Sequence, residues 1–176
     1  AFILVAAVLL ASYFGYEYIY QPMQNESVYN NAKHLYGQSW EGLPDNIDYK
    51  FGKLYQINND IIGWLSVPNT SLEVPVVTSA NKFSSYYDSH LFEGSVNRFG
   101  TAYSKTDLKE DTFFRNLVVY GKAENSKYTF FELEKYLNIK QYKQRPVITF
   151  NTLFGSGKWK VFSVFKTPAN RFSKYI

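Results

Sequence analysis

No cysteine occurs in the 176 residues. This excludes a disulfide scaffold, a thiolate zinc site and, within these residues, a thiol nucleophile. Histidine is nearly as scarce. His34 and His90 are the only two, and they lie far apart in sequence, which gives a metal site little support. An excess of charge of one sign is lacking too. The net charge is only +4, with Lys and Arg spread along the chain instead of clustered, so a nucleic-acid partner gets little support. Internal repeats and low-complexity linkers are absent. What is abundant is aromatic: 16 Tyr, 15 Phe and 3 Trp bring the aromatic share to 19%, which favours strands and half-buried surfaces over helical bundles. At this length one domain is expected, with enough chain to bury a core.

The opening run Ala1-Phe-Ile-Leu-Val-Ala-Ala-Val-Leu-Leu-Ala-Ser-Tyr-Phe14 lacks an initiator Met, and residues upstream of it are expected. Up to Tyr20 the only charge is Glu17. Twenty residues at about 1.5 Å each span roughly 30 Å, the depth of a bilayer core. Tyr13, Phe14, Tyr16, Tyr18 and Tyr20 would form an aromatic belt at one interface. Between Gly15 and Tyr49 the only Lys or Arg is Lys33, so the positive-inside rule places the C-terminal side outside the cell. A cleaved signal peptide is the competing reading, but no small-x-small cleavage site follows the apolar run. Residues 1–20 are therefore expected to be a partial transmembrane anchor, residues 21–60 a helical collar, and residues 61–176 the main domain.

Within the collar, Pro22 suits a first helical turn, and Ser27 to Trp40 follows as a helix. Gly42-Leu-Pro-Asp45 breaks it. Ile47 to Ile57 places Ile47, Phe51, Leu54 and Tyr55 on one face, with Asp45 or Asn46 as cap. From Ile61 the period becomes that of strands: Ile61 to Val67, Leu72 to Thr78, Gly100 to Ser104, Asn116 to Tyr120, Pro146 to Phe150 and Trp159 to Phe165. Pro75 suggests an edge or a bulge in the second. The last two read as a hairpin across Gly155-Ser-Gly157. Tyr128 to Leu137 has helical spacing, with Thr129 and Glu132 in capping-box register. The domain is mostly β with a few short helices.

The order of these pieces resembles the class B sortases, membrane-anchored cysteine transpeptidases. Asn58-Asn-Asp-Ile-Ile-Gly-Trp-Leu65 is similar to that family's Asn-x-Asp-Ile/Val-x-Gly-Trp strand. Pro68-Asn-Thr-Ser-Leu-Glu-Val-Pro-Val-Val77 resembles its next turn and Tyr-Pro-Val strand. Gly100-Thr-Ala-Tyr103 stands where the family has Gly-Ser-Ile-Phe. Asn116 to Gly121 resembles the strand leading into the catalytic histidine, and Thr129-Phe-Phe-Glu-Leu133 the Met-Phe-x-x-Leu helix after it. The resemblance implies an eight-stranded sortase β-barrel, six strands of it covered here, with N-terminal helices and a membrane anchor helix. It implies cleavage of a C-terminal sorting signal on secreted proteins through a Cys thioester. Transfer to a peptidoglycan or pilin amine then follows, at the outer face of a Gram-positive type envelope and without a cofactor. A cysteine attacks, a histidine serves as acid and base, and an arginine stabilises the developing oxyanion. In the family the cysteine and arginine lie on the seventh and eighth strands. The sequence reaches Arg171-Phe-Ser-Lys-Tyr-Ile176 at the connection to the seventh, so an incomplete polypeptide is expected, the alternative being a naturally short six-stranded protein.

Lys122 stands at the position of the family histidine, followed by Ala123 where Asn is common. A lysine side chain has a reference pKa near 10.4 against roughly 6.5 for histidine, so it holds a thiolate by charge better than it shuttles protons. Lys122 is the candidate catalytic residue, either as a retuned group or as a solvated lysine of a degenerate, non-catalytic pseudosortase that binds sorting signals or wall components. Asn81, at the family's Asp-Asn position, is a candidate for the substrate groove. His90 reads as structural and His34 as inert. Gly155-Ser-Gly-Lys158 lacks the remaining positions of a phosphate loop and reads as a hairpin turn. Glu132 and Glu134 read as a solvated helix face, and no metal site is expected.

Overall fold

The computed structural model describes residues 2–108, 116–144 and 146–168. Arg115 and the 171–176 segment, where the resemblance puts the connection to a seventh strand, lie outside them.

One helix, α1 (Phe2–Leu35), runs from the apolar N-terminal stretch into the domain. It crosses the expected boundary at residue 20 without a break. Residues Tyr16–Tyr20 form a wider turn, in which Gln21 N–H donates to the Tyr16 carbonyl five residues back. That spacing runs just ahead of Pro22, whose ring nitrogen has no hydrogen to donate, and helical geometry resumes in Gln21–Leu35. The helix ends five residues earlier than the sequence suggests: Tyr36 is extended and Gly37 adopts φ +95°. Before Tyr36 the face Gln21, Asn25, Tyr29 and Ala32 is buried against the domain, a helical stripe that is more polar than apolar.

The next helical piece starts later than expected. Asp48, rather than Asp45 or Asn46, caps it by accepting from Lys50 N–H at 3.0 Å. A short 3-10 turn, Tyr49–Phe51, leads into α2 (Gly52–Ile57). The strands β1 (Ile61–Ser66), β2 (Glu73–Thr78), β3 (Ala102–Ser104), β4 (Val147–Thr152) and β5 (Gly155–Lys160) follow. Between β3 and β4 come a 3-10 helix, Phe130–Leu137, and α3 (Ile139–Gln144). The described strands make one open sheet in the order β3-β2-β1-β4-β5. The β2–β3 pair is parallel and the others antiparallel. Of the expected barrel with six of eight strands covered, the described residues show an open mixed sheet of five strands, which is not closed.

Both faces of the sheet are covered. Ile62, Leu65, Val74, Val76 and Phe150 pack with Tyr29 and Tyr136 on one side. Ile61, Trp64 and Val77 pack with Phe51, Leu54, Tyr87 and Tyr103 on the other. Strands buried on both faces lose the simple alternation of a surface sheet, which is why β1 and β2 read as nearly continuous apolar runs. Gly63 belongs to the first motif for a steric reason: a Cβ there would stand 2.6 Å from the Asn151 carbonyl and 2.7 Å from the Phe150 ring. Pro75 lies opposite Trp64 in a strand paired on both sides. It is tolerated because β3 pairs with β2 only from Val76 onward.

Four further expectations are corrected. Residues 116–120 do not form a regular strand; their pairing is a single bridge, in which Tyr103 N–H donates to Tyr120 O at 2.9 Å and Tyr120 N–H returns to Tyr103 O at 2.7 Å. Leu117 and Val119 are half-buried against the core cluster, and that packing explains the apolar run without a strand. The β4–β5 turn is Leu153-Phe154, since Thr152 pairs with Gly155. Gly155-Ser-Gly-Lys158 is therefore inside β5, and residues 161–165 lie beyond it. The capping box does not form either. The Thr129 hydroxyl sits within hydrogen-bonding distance of Glu124 O, at 2.6 Å, and Ser126 O, at 3.0 Å. Glu132 is turned to Ser71 N–H at 3.3 Å and Lys135 Nζ at 2.7 Å, so it is not a freely solvated carboxylate.

Candidate functional site

The stretch singled out by sequence ends against β3. Tyr120 stacks on Tyr103, with ring centroids 5.4 Å apart, and Lys105 Nζ lies 4.7 Å above the Tyr120 ring. After Tyr120 the chain passes Gly121, where a Cβ would come within 2.9 Å of the Phe130 ring. Its φ is not positive. Gly121 is required by the close approach of Phe130 and not by a left-handed backbone. Phe130 N–H also donates to the Lys122 carbonyl at 2.7 Å. The Tyr-Gly-x and Thr-Phe-Phe motifs are thus two halves of one contact.

Lys122 is exposed, and its ammonium makes no hydrogen bond or ion pair with any of the described residues. The loop after it is held by α1. Lys127 O accepts from Asn25 Nδ2 at 3.3 Å, Lys127 Nζ reaches Glu26 at 2.9 Å, and Tyr128 OH donates to Asn30 at 2.7 Å. A stack of Tyr128 on Tyr29, with centroids 5.4 Å apart, completes the seat. Beside Ala123 opens an apolar groove of about 520 Å³, lined among others by Phe130, Leu133, Tyr136, Ile148 and Val161. Glu134 and Lys166, paired at 2.7 Å, are the charged residues of its lining.

Asn81 stands elsewhere. It is exposed in the turn after β2, next to Lys82, which pairs with Asp60 at 3.0 Å. β2 and β3 run parallel with Thr78 opposite Ser104, which carries Asn81 past the C-terminal end of β3. The antiparallel Tyr103–Tyr120 bridge carries Lys122 past its N-terminal end. The register therefore does not bring the two candidates together.

His90 has a packing role: its ring stacks on Tyr86 at 3.8 Å, and Nδ1 lies 2.7 Å from the Tyr86 carbonyl. His34 is exposed on α1. No cluster of metal-ligating side chains occurs among the described residues. Spacing gave no sign of the polar cluster at Tyr87, whose hydroxyl donates to Asp60 at 2.7 Å and accepts from Asn58 Nδ2 at 3.0 Å. It explains why the first motif carries Asn58 and Asp60: they fix the 80s loop to the start of β1.

Burial pushes the Tyr103 phenol up to about 12, with the Asp88 carboxylate adding to the rise, and burial raises Tyr29 and Tyr87 as well. A folded pKa above the unfolded value of about 10 contributes stability that is fully present below pH 10 and lost as pH rises to 12. The denaturant midpoint is expected to fall across that window, and less steeply in Tyr103→Phe. Equal slopes in the two proteins would remove Tyr103 from this role.

No family model matches the chain. Sortase B of Staphylococcus aureus is 25% identical over 166 residues, covering 93% of this chain and 67% of that protein. Sortase B of Listeria monocytogenes is 21% identical over 154 residues, covering 86% of this chain and 62% of its own length. The chain thus spans about two thirds of the length of these relatives. Among solved structures, a sortase B from B. anthracis superposes with a TM-score of 0.72 at 25% identity, over 81% of this chain and 68% of that one. A Staphylococcus aureus sortase B–substrate complex gives a TM-score of 0.72 at 25% identity, over 84% and 68%.

Proposed function

We propose that this chain, a class B sortase-like protein, serves the attachment of secreted proteins to the cell envelope from the outer face of the membrane. The reaction is that of the family it resembles. A cysteine thiolate attacks the scissile carbonyl of a C-terminal sorting signal, the peptide C–N bond breaks, and the departing amine takes a proton. A peptidoglycan or pilin amine then attacks the resulting thioester and frees the thiol. The observation that carries this reading is the likeness to sortase B structures, one of them a substrate complex. Its anchor is α1, whose first part is fully exposed, apolar and long enough to cross a membrane.

A second reading has its own observation. Lys122 is exposed and unengaged among the described residues. This fits a pseudosortase that holds sorting signals or wall components without turning them over. In this role the apolar groove beside Ala123 would be the binding surface. The two readings separate when the polypeptide of the native reading frame is offered a panel of fluorogenic sorting-signal peptides. Turnover that a thiol-blocking reagent abolishes supports the transpeptidase. Peptide binding by anisotropy without turnover supports the pseudosortase, and neither result would sink both.

A further inference from the structure

The helix that carries the apolar span also carries the domain, with no linker between them. Its last exposed turn and its first buried residue are one helical step apart. Glu17 is half-buried and Gln21 buried, whereas the residues before Gly15 are exposed. The segment seated on that first buried turn is residues 93–99. Asn97 Nδ2 donates to Gln21 O and to Gln24 Oε1, both at 3.0 Å. Arg98 N–H donates to Gln21 Oε1 at 2.7 Å, and Gln24 Nε2 reaches Ser95 Oγ at 3.0 Å. The Arg98 guanidinium lies 3.7 Å from Glu17 and 5.7 Å from the centre of the Tyr18 ring. Asn97 is 1% exposed and Gln21 is 4% exposed, so the clamp is built into the interior.

The dimensions then place this loop. Glu17 is the one charge in the apolar stretch, and the end of the hydrocarbon falls near it, because a carboxylate is expensive inside a bilayer. From Glu17 to Gln24 the helix rises only about 10 Å at 1.5 Å per residue. The headgroup layer on each side is roughly 5–7 Å thick. A loop pinned between those two residues has little room to stand clear of the headgroups. Its exposed apolar residue, Val96, which pairs with His90 just after the turn at residues 92–94, is 64% exposed, and Met23, on the neighbouring turn of α1, is 66% exposed.

We propose that residues 93–99 form a membrane-contact element, with Val96 seated in the phospholipid headgroup layer beside α1. The inference rests on the anchor reading of α1. The occupant of this surface is the bilayer itself, because the continuous helix brings it there. The loop's own charges, Glu93 and Arg98, cancel, so the contact is imposed by the rigid helix and not by attraction to anionic lipid. One consequence is positional. The loop after Lys122 is seated on Asn25, Glu26 and Asn30, one to two helical turns farther along α1, so the candidate site is held at a fixed height above the membrane.

The absence of cysteine makes the test clean. Leu9→Cys, Val96→Cys and Ser39→Cys are each labelled with an environment-sensitive fluorophore in the full chain. The proteins are reconstituted in vesicles of phosphatidylcholine, with and without phosphatidylglycerol, that contain nitroxide lipids. All three sites are exposed, and Ser39 lies beyond the far end of α1. The label at position 9 is expected to lose most of its emission to acyl-chain nitroxides. The label at 96 is expected to lose most of its emission to headgroup nitroxides, equally in both lipid mixtures, and the label at 39 to neither. Quenching at 9 with none at 96 would overturn the contact and leave the anchor standing. Absence of quenching at 9 would overturn the anchor, and the contact with it. Quenching at 96 only in the anionic vesicles would overturn the claim that the helix imposes the contact.

Discussion

Gly100→Ala is expected to lower stability by roughly 3–5 kcal/mol, combining the strain of a left-handed backbone with a steric collision. Gly100 has φ +63°, and a Cβ there would strike the carbonyls of Tyr87 and Asp88. Both carbonyls belong to the segment that positions the aromatic cluster, and Tyr87 O is already engaged by Thr101 N–H at 2.8 Å. The Gly100 carbonyl in turn accepts from the buried Tyr29 hydroxyl at 3.0 Å, so a shift of this backbone would also unseat α1. Gly94→Ala is the matched comparison. Its φ is +96°, but a Cβ would meet only the Tyr86 hydroxyl, at 3.9 Å, and the expected loss is the conformational part alone, about 1–2 kcal/mol. Denaturant unfolding of the two variants in detergent checks this. Equal losses would mean that the collision is relieved by movement of the 87–88 backbone.

The contrast also shows why the motifs were legible. Gly63, Gly100 and Gly121 are each held by close contact with another element, and such contacts leave fixed residues at fixed places in sequence. Buried strands were legible for a related reason, since β1 and β2 need apolar residues on both faces. What was not legible depended on partners far away in sequence. The capping box at Thr129 lost to Glu124 O and Ser126 O, because the preceding loop offered two carbonyls to one hydroxyl. The run 116–120 looked like a strand, but only Tyr120 pairs with β3. The polar seat of α1 was missed because Gln21, Asn25 and Asn97 carry no hydrophobic periodicity; their burial is made tolerable by mutual hydrogen bonds that only the fold reveals. For the candidate site, sequence located Lys122 and Asn81 but not the register that carries them to opposite ends of β3.

Lys122→His is expected to raise sorting-peptide turnover by about 10² to 10⁴-fold in the native polypeptide, the usual contribution of a positioned general acid–base. The exposed Lys122 ammonium has no neighbour among the described residues that would take its proton or hold it in place. An imidazole at the same position would give a proton to the departing amine and take one from the incoming amine. The gain should appear in kcat more than in KM, since the substitution changes proton transfer and leaves the groove beside Ala123 intact. An unchanged rate would mean that Lys122 is not at the reacting position.

The central claim is that this sortase-like fold serves acyl transfer from a sorting signal through a thioester. It is tested most directly by intact-mass measurement of the native polypeptide during incubation with such a peptide. The predicted result is an added mass equal to the acyl fragment, released by hydroxylamine and absent after thiol blocking. Cleavage of the peptide without any covalent adduct, or binding with neither cleavage nor adduct, would contradict it.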